Sequence, residues 1–418
     1  MLTYDNIHFN YHWTRKERFK WGLILLSGTS LVYASRTSVP LLVPVIGKER
    51  GWSKTDSGMI LSSFFWGYTL TQVLGGYLSD RLGGQRILTV AAVGWGLSTL
   101  FLPEIIDNFS DYYSIHFIVL ARMINGAFQG VHFPSMISLT SQRLIESERA
   151  SFFSLVTSGS AVGTVLTGTL GSYVLENYTW HTVLRVFGLV SVAWTILVFY
   201  YSTLLNGRSS TVKHTSSNRL PIRELITKPP FWACLIGHAC QNNCFFVLLS
   251  WMPTYFHDTF PEVKSWIVNM VPWLASLPSI FIGRVISDKL IKTGYSVTAT
   301  RKIIQTTCFT LQAVNLLFLA VTDAPEKAIL YLTLIIAGSG FHNSAIIVNP
   351  SDLAPKHSGS VFGIMNTIGA IPGFLGVYLA GLILQHTHSW SVVFIHIFIV
   401  EIIGATVYLV YGSGKAIL

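Results

Sequence analysis

Apolar residues run along this chain in long blocks rather than in alternation. Each block approaches the roughly 20 residues that a helix needs to cross a bilayer. Polar punctuation separates one block from the next. Twelve membrane-spanning helices are predicted, at 21–45, 57–78, 86–103, 114–139, 150–173, 182–204, 230–255, 265–287, 302–322, 328–350, 358–384 and 390–412. The first 20 residues are polar and aromatic, and the first apolar run is long enough to span, so no cleavable leader is expected. The fifth and eleventh blocks are glycine-rich, which permits close helix packing in lipid.

The longest polar connection, 205–229, carries Ser, Thr and five basic residues near the midpoint. It divides the chain into an N-terminal six-helix bundle (1–204), a central loop (205–229) and a C-terminal six-helix bundle (230–418). The halves share a short segment. Gly76-Tyr77-Leu78-Ser79-Asp80-Arg81-Leu82 follows the second span, and Val285-Ile286-Ser287-Asp288-Lys289-Leu290 closes the eighth, 208 positions later. A parallel repeat of two six-helix halves is the pattern of the major facilitator architecture. The expected fold class is therefore an all-α membrane protein of that kind. The first copy continues as Gly83-Gly84-Gln85-Arg86, which resembles the superfamily's loop between spans two and three. Asp80, Arg81, Arg86, Arg284 and Asp288 are the candidate gate residues.

Composition agrees with the pattern. A chain of 418 residues would ordinarily suggest two or three soluble domains, but only 11% of residues are charged, against about 25% in soluble proteins. With 51% hydrophobic residues and a mean hydropathy of +0.51, both a soluble body and a disordered chain are excluded. The net charge of +9 is explained by topology. With the N-terminus in the cytoplasm, 19 of the 28 Lys and Arg residues fall in cytoplasmic segments and 5 on the opposite face. That is a positive-inside signal with both termini cytoplasmic, and it needs no nucleic acid polymer as partner. The glycosylation sequons at Asn108 and Asn177 fall on the opposite face. The four cysteines lie in apolar stretches and are read as packing residues.

The remaining charges lie inside spans, where an ionisable group is costly and marks function by default. Arg185 and Arg284 lie near span ends and can snorkel. Arg36 and Arg122 lie deeper, about 13 Å and 10 Å from the same face at 1.5 Å per residue. Only one acid, Glu401, lies comparably deep. The two arginines therefore point to an anion that comes and goes, the alternative being structural pairing with carbonyls or with Glu401. A guanidinium fork suits carboxylate or phosphate oxygens. Tyr33, Phe64, Phe65, Trp66 and Tyr68 crowd the first half, and Phe245, Phe246, Trp251 and Tyr255 the second. Such aromatics could stack a base or simply pack. His132, His238, His342 and His396 are intramembrane candidates for proton relay or for hydrogen-bonded core positions. No metal-ligand motif and no ATP-hydrolysing loop is present, so no cofactor is expected and transport would run on a gradient or a potential. An enzyme is not expected.

Several segments resemble one family. Tyr33-Ala34-Ser35-Arg36, Ser63-Phe64-Phe65-Trp66-Gly67-Tyr68, Thr71-Gln72-Val73-Leu74-Gly75-Gly76 and Arg122-Met123-Ile124-Asn125-Gly126 with Gln129 are similar to the anion transporters that include vesicular glutamate transporters, sialin and sodium/phosphate transporters. Glu146-Ser147-Glu148-Arg149-Ala150, Val271-Pro272-Trp273-Leu274 and Asp352-Leu353-Ala354-Pro355 resemble that family's nucleotide-carrying branch. The resemblance covers nearly the whole chain. It implies Arg36 and Arg122 as substrate anchors. Tyr33, Phe64, Phe65, Tyr68, Gln129, Gln241 and Phe245 complete the candidate substrate-binding set. The glutamate and sialic acid members carry an acid where this chain has Gln129. The glutamate type has a histidine at Leu61 and an arginine at Gln241. Loss of the acid removes an obvious proton carrier and favours voltage-driven uptake.

The resulting expectation is alternating-access transport of ATP, ADP or GTP into secretory or synaptic-type vesicles or lysosome-related organelles. The resemblance adds chloride as an activator, and a monomer is expected. Two rivals stand beside it: a proton- or sodium-coupled carrier of a smaller organic anion or phosphate, and a non-transporting receptor on the same fold.

Overall fold

A computed structural model describes residues 13–108, 114–144, 146–206 and 221–418. Among these there is no strand, and the chain winds into twelve long helical segments. They are α1 (Arg15–Arg50), α2 (Lys54–Leu82), α3 (Gly84–Leu100, continued by Leu102–Asn108) and α4 (Ser114–Gly130, continued by His132–Arg143). Then come α5 (Glu146–Thr157 and Gly159–Leu166, a π turn at Thr167–Gly171, and Ser172–Asn177) and α6 (Trp180–Asn206). The second half holds α7 (Pro229–Thr259), α8 (Ser265–Leu274, continued by Ser276–Lys292), α9 (Val297–Val321), α10 (Pro325–His342), α11 (Ser358–Thr387) and α12 (Trp390–Tyr411). Most of the predicted central loop and the last two residues of one sequon (Phe109-Ser110) lie outside the described residues.

Local chemistry sets several ends. Thr14 and Glu17 form a reciprocal capping box at the start of α1, and Ser53 and Asp56 repeat it at α2, satisfying donors that the first turn leaves free. α1 stops where Gly51 turns left-handed, at φ 68°. The tenth span is shorter than the apolar pattern predicts. α10 ends at His342, and Arg301 takes the Ser344 carbonyl at 3.0 Å while gripping Asp352 with two bonds of 2.8 and 3.2 Å. A short helix, Asn349–Leu353, follows.

Nine of the helices are long and apolar enough to cross a membrane singly. The other three, α2, α4 and α10, carry buried polar residues such as Gln72, Asn125, Gln129 and His342. The packing shows the repeat directly. In the first half α1 packs on α5 and α6, α2 on α4, and α3 on α4 and α6. In the second half the same contacts recur six helices later: α7 on α11 and α12, α8 on α10, and α9 on α10 and α12. The halves meet where α2 lies on α11, α5 on α8 and α1 on α7.

At the end of the bundle away from the chain termini, Lys54 Nζ pairs with Asp258 at 2.5 Å and the Lys54 amide donates to Gln385 Oε1 at 3.0 Å. Ser172 and Ser265 meet there as well, at 3.3 Å. Exposed leucines, valines and phenylalanines, including Leu70 and Val73 on α2 and Phe281 and Val285 on α8, form the outer face that lipid would cover.

Candidate functional site

Two helices must approach unusually closely for the site to form. At Gly67 of α2 an added Cβ would lie 1.8 Å from the Met123 carbonyl, and at Gly126 of α4 it would lie 1.9 Å from the Phe64 carbonyl. Only glycine allows this backbone contact. It sets Phe64 beside Arg122, whose guanidinium carbon is 5.1 Å from the ring centre. Arg36, reaching from α1, lies 4.8 Å from the same ring. The two cations are thus no farther apart than those two distances combined.

Arg36 is also 4.6 Å from the Tyr33 ring and 4.7 Å from the Tyr68 ring. Three aromatic faces around one guanidinium supply cation–π attraction without any negative charge. Both arginines are 3% exposed. Arg36 Nε donates to a carboxamide, Gln129 Oε1, at 3.3 Å. Gln129 is held in turn by neutral groups. Its Nε2 donates to Asn125 Oδ1 at 3.0 Å and to Ser35 Oγ at 3.3 Å. Asn125 donates to Thr99 Oγ1 at 3.0 Å and Ser98 Oγ at 2.8 Å, and Ser35 meets Thr99 at 2.5 Å. Among the described residues no carboxylate takes part in this network. Arg36 Nη2 and Arg122 Nε remain buried with no partner among the described residues. Unpaired buried donors on charged groups are costly, so the arrangement is set up for an anion to complete it.

Glu401 does not complete it. This fully buried acid of α12 forms neither hydrogen bond nor ion pair, and both its oxygens are unpartnered among the described residues. One turn beyond it, Gly404 lies against Cys240 of α7 and Phe309 of α9, within the second half. The other expected residues divide into groups. Arg36, Arg122, Tyr33, Phe64, Tyr68 and Gln129 are brought together. Phe65 turns away to the interface between the halves, 4.6 Å from Phe246, and Phe245 stacks edge-on to Trp273 at 5.5 Å. Gln241 donates to Ser339 of α10 at 3.2 Å and belongs to the polar core of the second half.

That second polar core contains a directed chain. The Asn242 amide donates to His238 Nε2 at 3.1 Å, His238 Nδ1 faces His342 Nε2 at 2.9 Å, and His342 Nδ1 faces Gln305 Oε1 at 3.0 Å. Because Asn242 donates, His238 must carry its proton on Nδ1 and pass a bond to His342, which passes one to Gln305. Both rings are neutral in this arrangement. His132 is separate, 3.1 Å from Thr29 in the first half.

Of the gate candidates, Arg81 stacks at 5.1 Å on Tyr77, and Asp80, Arg86, Arg284 and Asp288 occupy exposed positions. Gly83, at φ 93°, makes the turn, and a Cβ on Gly84 would lie 2.3 Å from the Ser135 carbonyl of α4. At the equivalent place in the second half, the bonded residue is Ser287, which accepts from Arg301 at 3.2 Å. Arg301 and Asp352 form the tie in that region, and the charge pattern alone did not single them out. Asn125, Ser35 and Thr99 were also missed as site residues. Their signal was the spacing Arg122, Asn125, Gln129, which lies on one helix face.

Comparison with known proteins agrees with this picture. Residues 25–377 match the Major Facilitator Superfamily. The chain is 38% identical over 414 residues to the Voltage-gated purine nucleotide uniporter SLC17A9 of Mus musculus, covering 97% of this chain and 92% of that protein. It is 30% identical over 423 residues to the Sodium-dependent phosphate transport protein 1, chloroplastic, of Arabidopsis thaliana, covering 97% and 81%. Among solved structures, a bacterial homolog of the human lysosomal transporter Spinster superposes with a TM-score of 0.75 at 14% identity, covering 96% of this chain and 97% of that one. The D-xylose-proton symporter gives 0.73 at 16% identity, covering 95% and 99%. With its fold, its coverage and its relatives taken together, this chain belongs to the major facilitator superfamily and, within it, to the anion transporters: it is a multi-pass membrane transporter, not an enzyme.

Proposed function

We propose that this protein carries purine nucleotides, ATP foremost with ADP and GTP, into secretory or lysosome-related vesicles by alternating access. The observation that carries the reading is the pair of buried arginines whose unpaired N–H groups meet no carboxylate among the described residues. Phosphate oxygens would take those donors, and the Tyr33, Phe64 and Tyr68 rings would flank the rest of the ligand. The relatedness to nucleotide uniporters supports the choice of nucleotide over other anions.

The membrane potential is the driving force in this reading. Gln129 stands beside Arg36 in place of a titratable acid, so the site has no proton to exchange for its anion. One charge moved through 100 mV is worth about 2.3 kcal/mol, so a nucleotide with three to four negative charges gains about 7–9 kcal/mol. A lumen-positive potential would draw it inward. Both termini would lie in the cytoplasm, a reading that the positive-inside bias supports. The bundles 1–204 and 230–418 would rock about the site as a monomer, with 205–229 as their link. Chloride would act as an activator.

The test is reconstitution in liposomes with an imposed inside-positive potential. Labelled ATP should accumulate with the pH gradient collapsed, and replacing chloride by gluconate should slow it. Accumulation that follows the pH gradient or sodium instead, with inhibition by a small anion and indifference to ATP, would overturn the reading in favour of a coupled small-anion carrier.

A further inference from the structure

We propose that Gln72 of α2 and Asn366 of α11 form a subsite for the nucleoside portion of the ligand, reaching it from both halves at once. The inference rests on the nucleotide reading above and deepens it.

The first observation is the register of α2 on α11. Gly58 faces Gly381, the Phe65 ring fills the space over Gly373, and Gln72 faces Asn366. These contacts follow one another about two turns apart along antiparallel helices. The first two are close apolar packing. The third is polar: Asn366 Nδ2 donates to Gln72 Oε1 at 2.5 Å.

A second observation gives this bond its meaning. Gln72 is 6% exposed, and its Nε2 is buried with no partner among the described residues. A buried amide donor left unpaired costs about 1–3 kcal/mol, and a bond to Asn366 already fixes the other end of the amide. The donor is therefore held in place and waiting for an acceptor.

Its surroundings identify the acceptor. One turn before Gln72, and so on the same face, Tyr68 lies with its ring centre 4.7 Å from the Arg36 guanidinium. The sequence Arg36, Tyr68, Asn366, Gln72 thus runs from the cationic anchor to a neutral carboxamide pair. A ligand with phosphate at Arg36 would place its uncharged part at that pair. Carboxamides suit nucleosides because they offer a donor and an acceptor side by side, the arrangement that reads the N7 and N6 edge of adenine. A ribose hydroxyl presents the same two functions. Such a contact also joins the halves through the ligand, because Gln72 belongs to one and Asn366 to the other.

The test compares ATP with inorganic tripolyphosphate, which has the charge but no nucleoside. Purified wild-type protein and the variants Gln72→Met and Asn366→Ala are assayed by ligand-induced thermal stabilisation and by competition against labelled ATP uptake. Wild type should prefer ATP to tripolyphosphate, and each variant should lose about tenfold of that preference, the worth of one good hydrogen bond, while still binding tripolyphosphate. Gln72→Asn keeps the carboxamide but withdraws it by one methylene, and should show the same loss if methionine disturbs α2. In wild type, ITP and 2′-deoxy-ATP separate the base edge from the ribose as the group recognised. Variants that weaken ATP and tripolyphosphate equally, or neither, would overturn the subsite and leave Gln72–Asn366 as a contact between helices. A wild-type protein indifferent to ATP would overturn the nucleotide reading, and the subsite with it.

Discussion

In α1–α6 the buried polar cluster is rich in donors. Arg36 and Arg122 share Phe64, lean on a carboxamide, and keep N–H groups that nothing among the described residues accepts. In α7–α12 the corresponding core is a chain of neutral groups, Asn242 to His238 to His342 to Gln305, in which each ring both gives and receives. Its one acid, Glu401, stands outside that chain without a partner. The two halves share a packing plan and differ in chemistry. One core leaves N–H groups of its two cations unpaired among the described residues, whereas in the other both histidine rings are bonded and the unpartnered atoms include the neutral Gln305 Nε2. The difference teaches that a repeat can share one packing frame while, among the described residues, only one copy buries a pair of cations in its core.

The sharpest way to break the comparison is to remove the excess donors. Arg36→Ala or Arg122→Ala should reduce nucleotide uptake by the equivalent of about 2–5 kcal/mol, the usual cost of truncating one partner of a buried charged contact. Lysine should rescue only in part, because a point charge cannot bond two oxygens as the fork does. Potential-driven uptake in liposomes measures both. Arginine-free protein that still concentrates ATP at the wild-type rate would show that the cargo is held elsewhere.

Next in size is the conversion of the neutral network into a self-satisfied one. Gln129→Glu places a carboxylate 3.3 Å from Arg36 Nε, where Gln129 Oε1 now sits. The internal acid should compete with the cargo, so uptake at neutral pH should fall severalfold. Lowering the pH protonates the acid and removes its charge, so uptake should rise as the pH falls, at a fixed potential. A flat pH profile in this variant would mean that Gln129 does not lie between Arg36 and the ligand.

These two outcomes bear on how much was legible before the structure was known. The helices were readable because each must satisfy its backbone within the bilayer, and the apolar blocks record that requirement. The arginines were readable because charge is scarce in such blocks. Their meeting at Phe64 depends on Gly67 and Gly126, and the sequence shows the glycines without showing which helix they face. The roles of Phe65, Phe245 and Gln241 were harder to read. Each is an aromatic or amide at a plausible depth, yet helix rotation turns Phe65 into the interface and Gln241 towards Ser339. Depth follows from counting residues, whereas rotation is set by packing with partners far away in the chain. The end of α10 was misjudged for a related reason: Arg301 captures a carbonyl some forty positions away and ends the helix inside an apolar run.

A smaller effect is expected in the second half. His342→Ala removes the middle of the chain and leaves His238 Nδ1 and Gln305 Oε1 without partners. The expected cost is about 1–3 kcal/mol of stability, read as a lower melting temperature of the purified protein. Transport per folded molecule should stay close to wild type, since no member of the chain touches the arginines. If instead the melting temperature holds and the voltage dependence of uptake changes, the histidine chain takes part in coupling and the contrast between the halves narrows.

The smallest effect is expected at Glu401. The apolar sequence around it invites the reading that it is the counter-charge of the arginines, because no other acid lies so deep. The structure separates it from them: it forms no ion pair among the described residues and lies on α12, whose helix neighbours are α7, α9 and α11. Glu401→Gln keeps the shape and removes the acid, so uptake and its dependence on potential should match wild type within about twofold, as for a substitution that breaks no contact. The double variant Arg122→Ala with Glu401→Gln discriminates further. If the residues are independent, the double variant should be as impaired as Arg122→Ala alone, since effects at uncoupled sites add. Restoration of uptake in the double variant would show that the acid and the arginine oppose each other somewhere in the transport cycle, and would return Glu401 to the site from which this conformation excludes it.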